Sequence, residues 1–247
     1  MKKYPVAIQL YTVRAALKEN FVDTMKEIAA LGYEGVEFAF TFGGMEPLEL
    51  AEFMKKLNLK TISVHTNLAK ASDPEFSDFA YAKALGAETI ICSGKREGFA
   101  DIADELSKQV RAVRKAAVAN GFNFAYHNHN YEFVTLPDGT FGYEKMVGDD
   151  LNVELDVYWL TQAGVNPVEY IKRYGSRLPY LHLKDRNPET RTFTELGTGD
   201  VPLAKCVEAL DGTICKWLVY EQDVCNYPGV ESAKISIGNL KKILGYR

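Results

Sequence analysis

Residues 6–40 read VAIQLYTVRAALKENFVDTMKEIAALGYEGVEFAF, and this stretch contains the unit from which the rest of the chain is built. Val6–Tyr11 and Gly35–Phe40 are apolar runs of strand length. Between them, FVDTMKEIAALGY places Phe21, Met25, Ile28, Ala29 and Leu31 on one face of a helix that Gly32 ends. A strand, a helix and a second strand predict a parallel pair, because the crossover returns the chain to the same sheet edge.

The unit repeats. Further strand-like runs are Thr61–His65, Thr89–Cys92, Asn123–His127, Asn152–Val157, Tyr180–Lys184 and Trp217–Glu221, which brings the total to eight. Helical spacers separate them: PLELAEFMKKLN stops at Asn58, PEFSDFAYAKALG at Gly86 and IADELSKQVRAVRKAAVANG at Gly121. NPVEYIKRYG, VPLAKCVEALDG and a terminal helix near 229–244 follow. Eight such units predict an α/β protein, one closed (β/α)8 barrel spanning residues 1–247 as a single domain. A doubly wound open sheet fits less well, since the first strand leads to QLYTVR and not to a glycine-rich phosphate turn. The irregular fifth connection, YEFVTLPDGTFGYEKMVGDD, carries a Pro-Asp-Gly turn and reads as a loop over the barrel mouth.

Composition narrows the partners. The net charge of -4, from 29 basic and 33 acidic residues with no basic block, argues against a nucleic-acid partner. No signal-peptide pattern or long apolar run is present, so a cytoplasmic protein with no membrane partner is expected. Cys92, Cys206, Cys215 and Cys225 lack CxxC spacing and read as reduced thiols. A homo-oligomer is compatible with this composition.

In a barrel, the C-terminal ends of the strands share one rim, where chemistry is assembled. Here those ends carry Gln9, Glu37, His65, His127, Asp156, His182 with Lys184 and Asp185, and Glu221. Singly, each reads as a satisfied core or loop group. Together on one rim they would repel or stay unsatisfied unless something sits between them. Imidazole with carboxylate suits one divalent metal ion such as manganese, cobalt, zinc or magnesium. Asp156, His182 and Glu221 lie on neighbouring strands six to eight and leave coordination positions open. In FAYHNHNYEF, alternation turns His127 and His129 to the same side, with Glu132 just beyond the strand. His127 is the deepest of these, as ligand or base, and His129 lines the pocket. Glu154 shares the face of Asp156 and is expected one layer lower, orienting a ligand. Phe38, Tyr158 and Trp159 read equally as sugar-stacking surfaces or as wall packing. The glycines of GTGD provide a turn into a helix capped by Asp200.

The order QLYTVR, GVEFA, SVH, YHNHNYEF, LDVYW, LHLKD, ELGTGDV and VYEQD resembles the xylose isomerase-like TIM-barrel superfamily. The likeness is to its sugar phosphate isomerase/epimerase branch, with ketose 3-epimerases and inosose-processing enzymes among the relatives. The resemblance implies one divalent ion held by His127, Asp156, His182 and Glu221. It also implies an isomerase or epimerase acting through an enediolate on a small sugar or keto-sugar. Glu221, His127 and Lys184 would be the catalytic groups. Gln9, Glu37, His65, His129, Glu132, Trp159, Asp185 and Arg186 would bind substrate.

One position departs from that pattern. Epimerases of the family carry a glutamate on strand five as ligand and base, and His127 stands there instead. That brings forward a second expectation, a metal-dependent lyase such as a dehydratase of a keto-inositol or a 3-keto-glycoside. A nuclease of the endonuclease IV type is remote, since four histidines are too few for its several zinc ions. A non-catalytic binding barrel is the remaining alternative.

Overall fold

The computed structural model describes residues 3–245. Eight parallel strands close into a barrel: β1 (Val6–Gln9), β2 (Gly35–Ala39), β3 (Lys60–His65), β4 (Thr89–Ser93), β5 (Asn123–His127), β6 (Asn152–Asp156), β7 (Tyr180–Leu183) and β8 (Trp217–Tyr220). They neighbour one another in sequence order, and β8 returns to pair with β1. All eight expected strands are present. The first is shorter than its apolar run suggests, because Leu10–Val13 winds into a 3-10 turn.

Helices wrap the outside. Phe21–Ala30 is capped by the Asn20 side chain, which accepts from the Asp23 N–H. It buries Phe21, Thr24, Met25 and Ile28 against the barrel. Phe99–Ala119 buries Phe99, Ala103, Leu106, Val110 and Val113 at helical spacing. Asn58 ends its helical segment with a φ of 53°, a conformation that asparagine tolerates better than most residues. No helix among the described residues is long and apolar enough to cross a membrane.

Alternation along the strands sorts the barrel interior into two levels. Below lies an apolar plug of Ala7, Ile62, Ile91, Ala125, Tyr180 and Val219, all buried. The Tyr180 hydroxyl crosses the barrel from β7, donating to the Ile62 carbonyl at 3.2 Å and pairing with the Thr89 hydroxyl at 3.0 Å. Above the plug the inward positions turn polar, and every one of Gln9, Glu37, Ser63, His65, His127, Glu154, Asp156, His182, Lys184 and Glu221 is buried. A register shift between Val36 and Glu37 brings Glu37 opposite Ser63.

Two expectations are corrected. The fifth connection does not roof the mouth: Phe133 stacks on Tyr143 at 4.9 Å and meets Tyr170 edge-on at 5.4 Å, so its body folds beside the barrel on the outer helices. Asp200 does not cap a helix. Leu203–Glu208 starts after Pro202 with no side-chain cap, and Asp200 pairs with Arg186 instead.

At the opposite end of the barrel, Glu88 bridges Lys60 at 2.8 Å and Lys216 at 2.9 Å, and the two lysines hold its carboxyl down at about 2. A lowered folded-state value stabilises above the ordinary carboxylate range and is lost as pH falls from about 4.5 towards about 2. Because both lysines are exposed and Glu88 is partly so, Glu88→Gln is expected to cost under about 1 kcal/mol at pH 7. Denaturant midpoints of the two proteins should converge at pH 2–3. An undiminished gap there would refute the ion-pair account.

Candidate metal centre

The polar level of the barrel brings together the four side chains that the sequence singled out. One ligand atom each from His127, Asp156, His182 and Glu221 can be chosen so that all lie within 4.8 Å of one another. Parallel register sets this up, pairing Asp156 with His182 across β6 and β7, and His127 with Glu154 across β5 and β6. Asp156 serves two purposes. Its Oδ1 accepts from the Trp159 N–H at 3.0 Å, capping the helix Val157–Gln162, and its Oδ2 faces the cluster. Asn128 fixes that position by accepting from the Asp156 N–H at 2.9 Å.

The histidines are held by neighbouring carboxylates. His127 Nδ1 lies 2.9 Å from Glu154 Oε2, which leaves Nε2 directed at Asp156 Oδ2, 3.7 Å away. His182 Nδ1 lies 3.2 Å from Glu221 Oε2, while its Nε2 lies 3.2 Å from Glu154 and 3.4 Å from Glu37. Glu37 is tied in turn to Gln9 Nε2 at 2.7 Å and to the Ser63 hydroxyl at 2.5 Å. Glu154 thus occupies the level below the cluster, in contact with both imidazoles.

Charge is distributed unevenly. Lys184 Nζ stands 2.6 Å from Glu221, 2.9 Å from Asp223 and 3.2 Å from Asp156. Burial disfavours its charged form, but these carboxylates outweigh that and hold the ammonium well above its usual range. Burial likewise opposes ionisation of Glu221, yet Lys184 and His182 keep its carboxyl at about 2. Burial and then Glu37 push Glu154 well up. His182 is raised against the pull of burial by Glu154, Glu221 and Glu37, whereas burial and the neighbouring His182 drive His127 down and keep it neutral.

The donor set fits a divalent ion. Asp156 Oδ2 and both nitrogens of His182 are buried without a hydrogen-bond partner; their neighbours are near enough for ion pairs but not aligned as hydrogen bonds. Bare oxygen and nitrogen atoms of this kind, converging inside a barrel, are what a cation satisfies.

A cavity of about 200 Å3 opens over the cluster. Of the expected site residues, Gln9, His65, His127, His129, Lys184 and Glu221 line it. Trp159 packs against His129 at 5.3 Å, with the Lys184 ammonium 5.7 Å from its ring centre. Four others do not line it and are engaged by neighbouring groups. Glu37 lies below, as described. Glu132 accepts from the Tyr126 hydroxyl at 2.8 Å and the His129 N–H at 2.9 Å, and burial lifts it to about 7. Asp185 accepts four backbone N–H groups, from Arg186, Gly197, Gly199 and Val201, and so shapes the GTGDV loop. Arg186 closes that loop on Asp200 and reaches the Thr161 carbonyl. Phe38 is wall packing, buried and stacked on Phe42 at 5.4 Å.

Tyr11, Phe40, Ser93 and Asp223 also line the cavity and were missed. Asp223 had a signal, since it stands two residues beyond Glu221. Asn128 was passed over because alternation turns it away from the centre.

The pattern that defines the xylose isomerase-like TIM barrel matches residues 25–243. The chain belongs to that family. An inosose dehydratase of Mesomycoplasma hyopneumoniae is 26% identical over 235 residues, covering 85% of this chain and 75% of the relative. Inosose dehydratases of Clostridium align at 23–26%, and the alignments span about two thirds of those relatives' lengths. Among solved structures, a sugar phosphate isomerase/epimerase from Parabacteroides distasonis superposes with a TM-score of 0.81 at 20% identity, covering 97% of this chain and 98% of that one. An IolI protein with a bound zinc atom gives 0.73 at 14% identity, covering 98% of each chain.

Asp156→Asn is expected to weaken manganese or zinc binding by more than about a hundredfold, and Glu154→Gln by about 10- to 100-fold, read by calorimetry. Uptake should release protons, so affinity falls as pH is lowered. Asp185→Ala should leave ion binding intact while lowering stability by on the order of 3 kcal/mol, since four N–H groups lose their acceptor. Unchanged affinity in Asp156→Asn would contradict the assignment.

Proposed function

We propose that this chain is a divalent-metal-dependent enzyme that removes a proton from the carbon beside the carbonyl of a small sugar or keto-sugar. The observation that carries this is the buried set His127, Asp156, His182 and Glu221 at the floor of a cavity that Lys184 also lines. A divalent ion held by those four would polarise the carbonyl oxygen and offset the charge that develops on it.

The side chains have distinct parts. Glu221 faces the cavity and is held ionised by Lys184 and His182, so it is in the form that accepts a proton. Lys184 keeps its charge and adds positive potential at the developing oxyanion. Gln9, His65 and His129 line the walls and supply hydrogen bonds to hydroxyls.

Return of the proton to another atom or face makes the reaction an isomerisation or epimerisation. Loss of a neighbouring hydroxyl as water makes it a dehydration. Two observations favour dehydration as a second reading. His127 Nδ1 is committed to Glu154 at 2.9 Å and its Nε2 turns to the cluster, which suits a ligand better than the second base that epimerisation calls on. The curated relatives are also named for a dehydratase activity.

Exhaustive chelation is expected to abolish turnover of keto-sugars or inosose, and manganese or cobalt to restore it. Lys184→Met should lower kcat by about 10²- to 10³-fold. Mass spectrometry separates the readings: loss of one water against an unchanged mass with deuterium taken up from solvent. Full activity in metal-stripped protein would sink the proposal.

A further inference from the structure

A second cavity, of about 290 Å3, adjoins the one over the metal cluster, and the two share Phe40 and Ser93 as a common wall. It lies beyond the ends of β3 and β4, against the long helix Phe99–Ala119. Leu68 and Leu106 give it apolar surface, while Asn67, Lys95 and Gln109 contribute polar groups. The cavity over the cluster, at about 200 Å3, is smaller than the roughly 300–1,000 Å3 usual for ligand pockets. Only with its neighbour does the space enter that range.

Phe40 stands at the junction in a conformation that folding alone does not reward. Its φ is 61°, in the left-handed region that bulky side chains avoid. The residue is 58% exposed, its ring meeting Tyr11 edge-on at 6.3 Å and His65 at 5.7 Å. Strained backbone of this kind persists where the surroundings impose it, and it gathers at binding sites. An apolar ring held out between two cavities is a surface for an occupant that touches both.

We propose that Phe40 divides two subsites and that the molecule bound here has two sugar rings joined by a glycosidic bond. One ring lies over Lys184 and Glu221; the second occupies the neighbouring cavity. A pyranose has apolar C–H faces and a polar edge, which suits Phe40, Leu68 and Leu106 on one hand and Asn67, Lys95 and Gln109 on the other. The proposal rests on the carbohydrate reading above and adds the second ring to it.

The test is calorimetric binding to the manganese-loaded full chain. Glucose and methyl glucoside are compared with maltose, cellobiose and trehalose, each also with one ring oxidised to the ketone. At least one two-ring probe should bind tenfold or more tightly than its one-ring counterpart. Asn67→Trp, which fills the second cavity from an exposed position, should bring that ratio to about one. Phe40→Gly suits the left-handed backbone and should fold with an undiminished melting temperature. It should nevertheless lose at least tenfold in affinity for the two-ring probe. Equal affinity for one-ring and two-ring probes, or an Asn67→Trp protein that keeps the difference, overturns the second subsite and leaves the carbohydrate reading standing. Binding of neither class overturns both.

Discussion

Four carboxylates, those of Glu37, Glu154, Asp156 and Glu221, are buried close together inside a closed barrel, and balancing their charge governs what surrounds them. Withdrawing an ionised carboxylate from water costs several kcal/mol unless a partner compensates it. Lys184 and His182 are buried partners, themselves held charged by the carboxylates around them. Glu221, beside Lys184, stays ionised; Glu154, beside Glu37, is pushed towards its neutral form. The same excess of negative charge, with bare donor atoms pointing inward, makes the centre receptive to a divalent cation.

The scaffold around that concentration of charge is apolar and closely anchored. The plug beneath it, crossed by the Tyr180 hydroxyl, fills the lower barrel with apolar side chains. Parallel register then delivers side chains to one level without further adjustment, as with Asp156 beside His182. Backbone groups near the site are anchored by side chains dedicated to that task. Asn128 locks the end of β5 to Asp156, and Asp185 gathers four N–H groups of the GTGDV loop. A displaced ligand would therefore have to carry its strand or loop with it, which favours a preorganised centre.

Similarity to solved structures persists at 14–20% identity across nearly the whole chain. The fold is set by where apolar residues recur, a requirement many sequences meet, whereas chemistry is set by a few inward positions. The inward end of β5 is such a position: an imidazole there in place of a carboxylate would leave the barrel unchanged and alter which proton transfers are available.

The sequence by itself determined the eight strands, most of the helices between them and the inward side of each strand, because periods of 2 and 3.6 residues are local properties of the chain. His127, Asp156, His182 and Glu221 were legible for that reason. Past the last paired residue of a strand the alternation stops, and direction passes to loop contacts between residues far apart in the chain. Asp185 and Arg186 lie off the cavity on this account, in a two-residue strand that pairs with Phe193–Thr194 and holds the GTGDV loop. Glu132 lies off the cavity for the same reason. Only the tertiary structure decided that Lys184 stands among three carboxylates, that Asn128 fixes Asp156, and that Phe40 separates two cavities. Each of these depends on what lies across the barrel, and no local period encodes that.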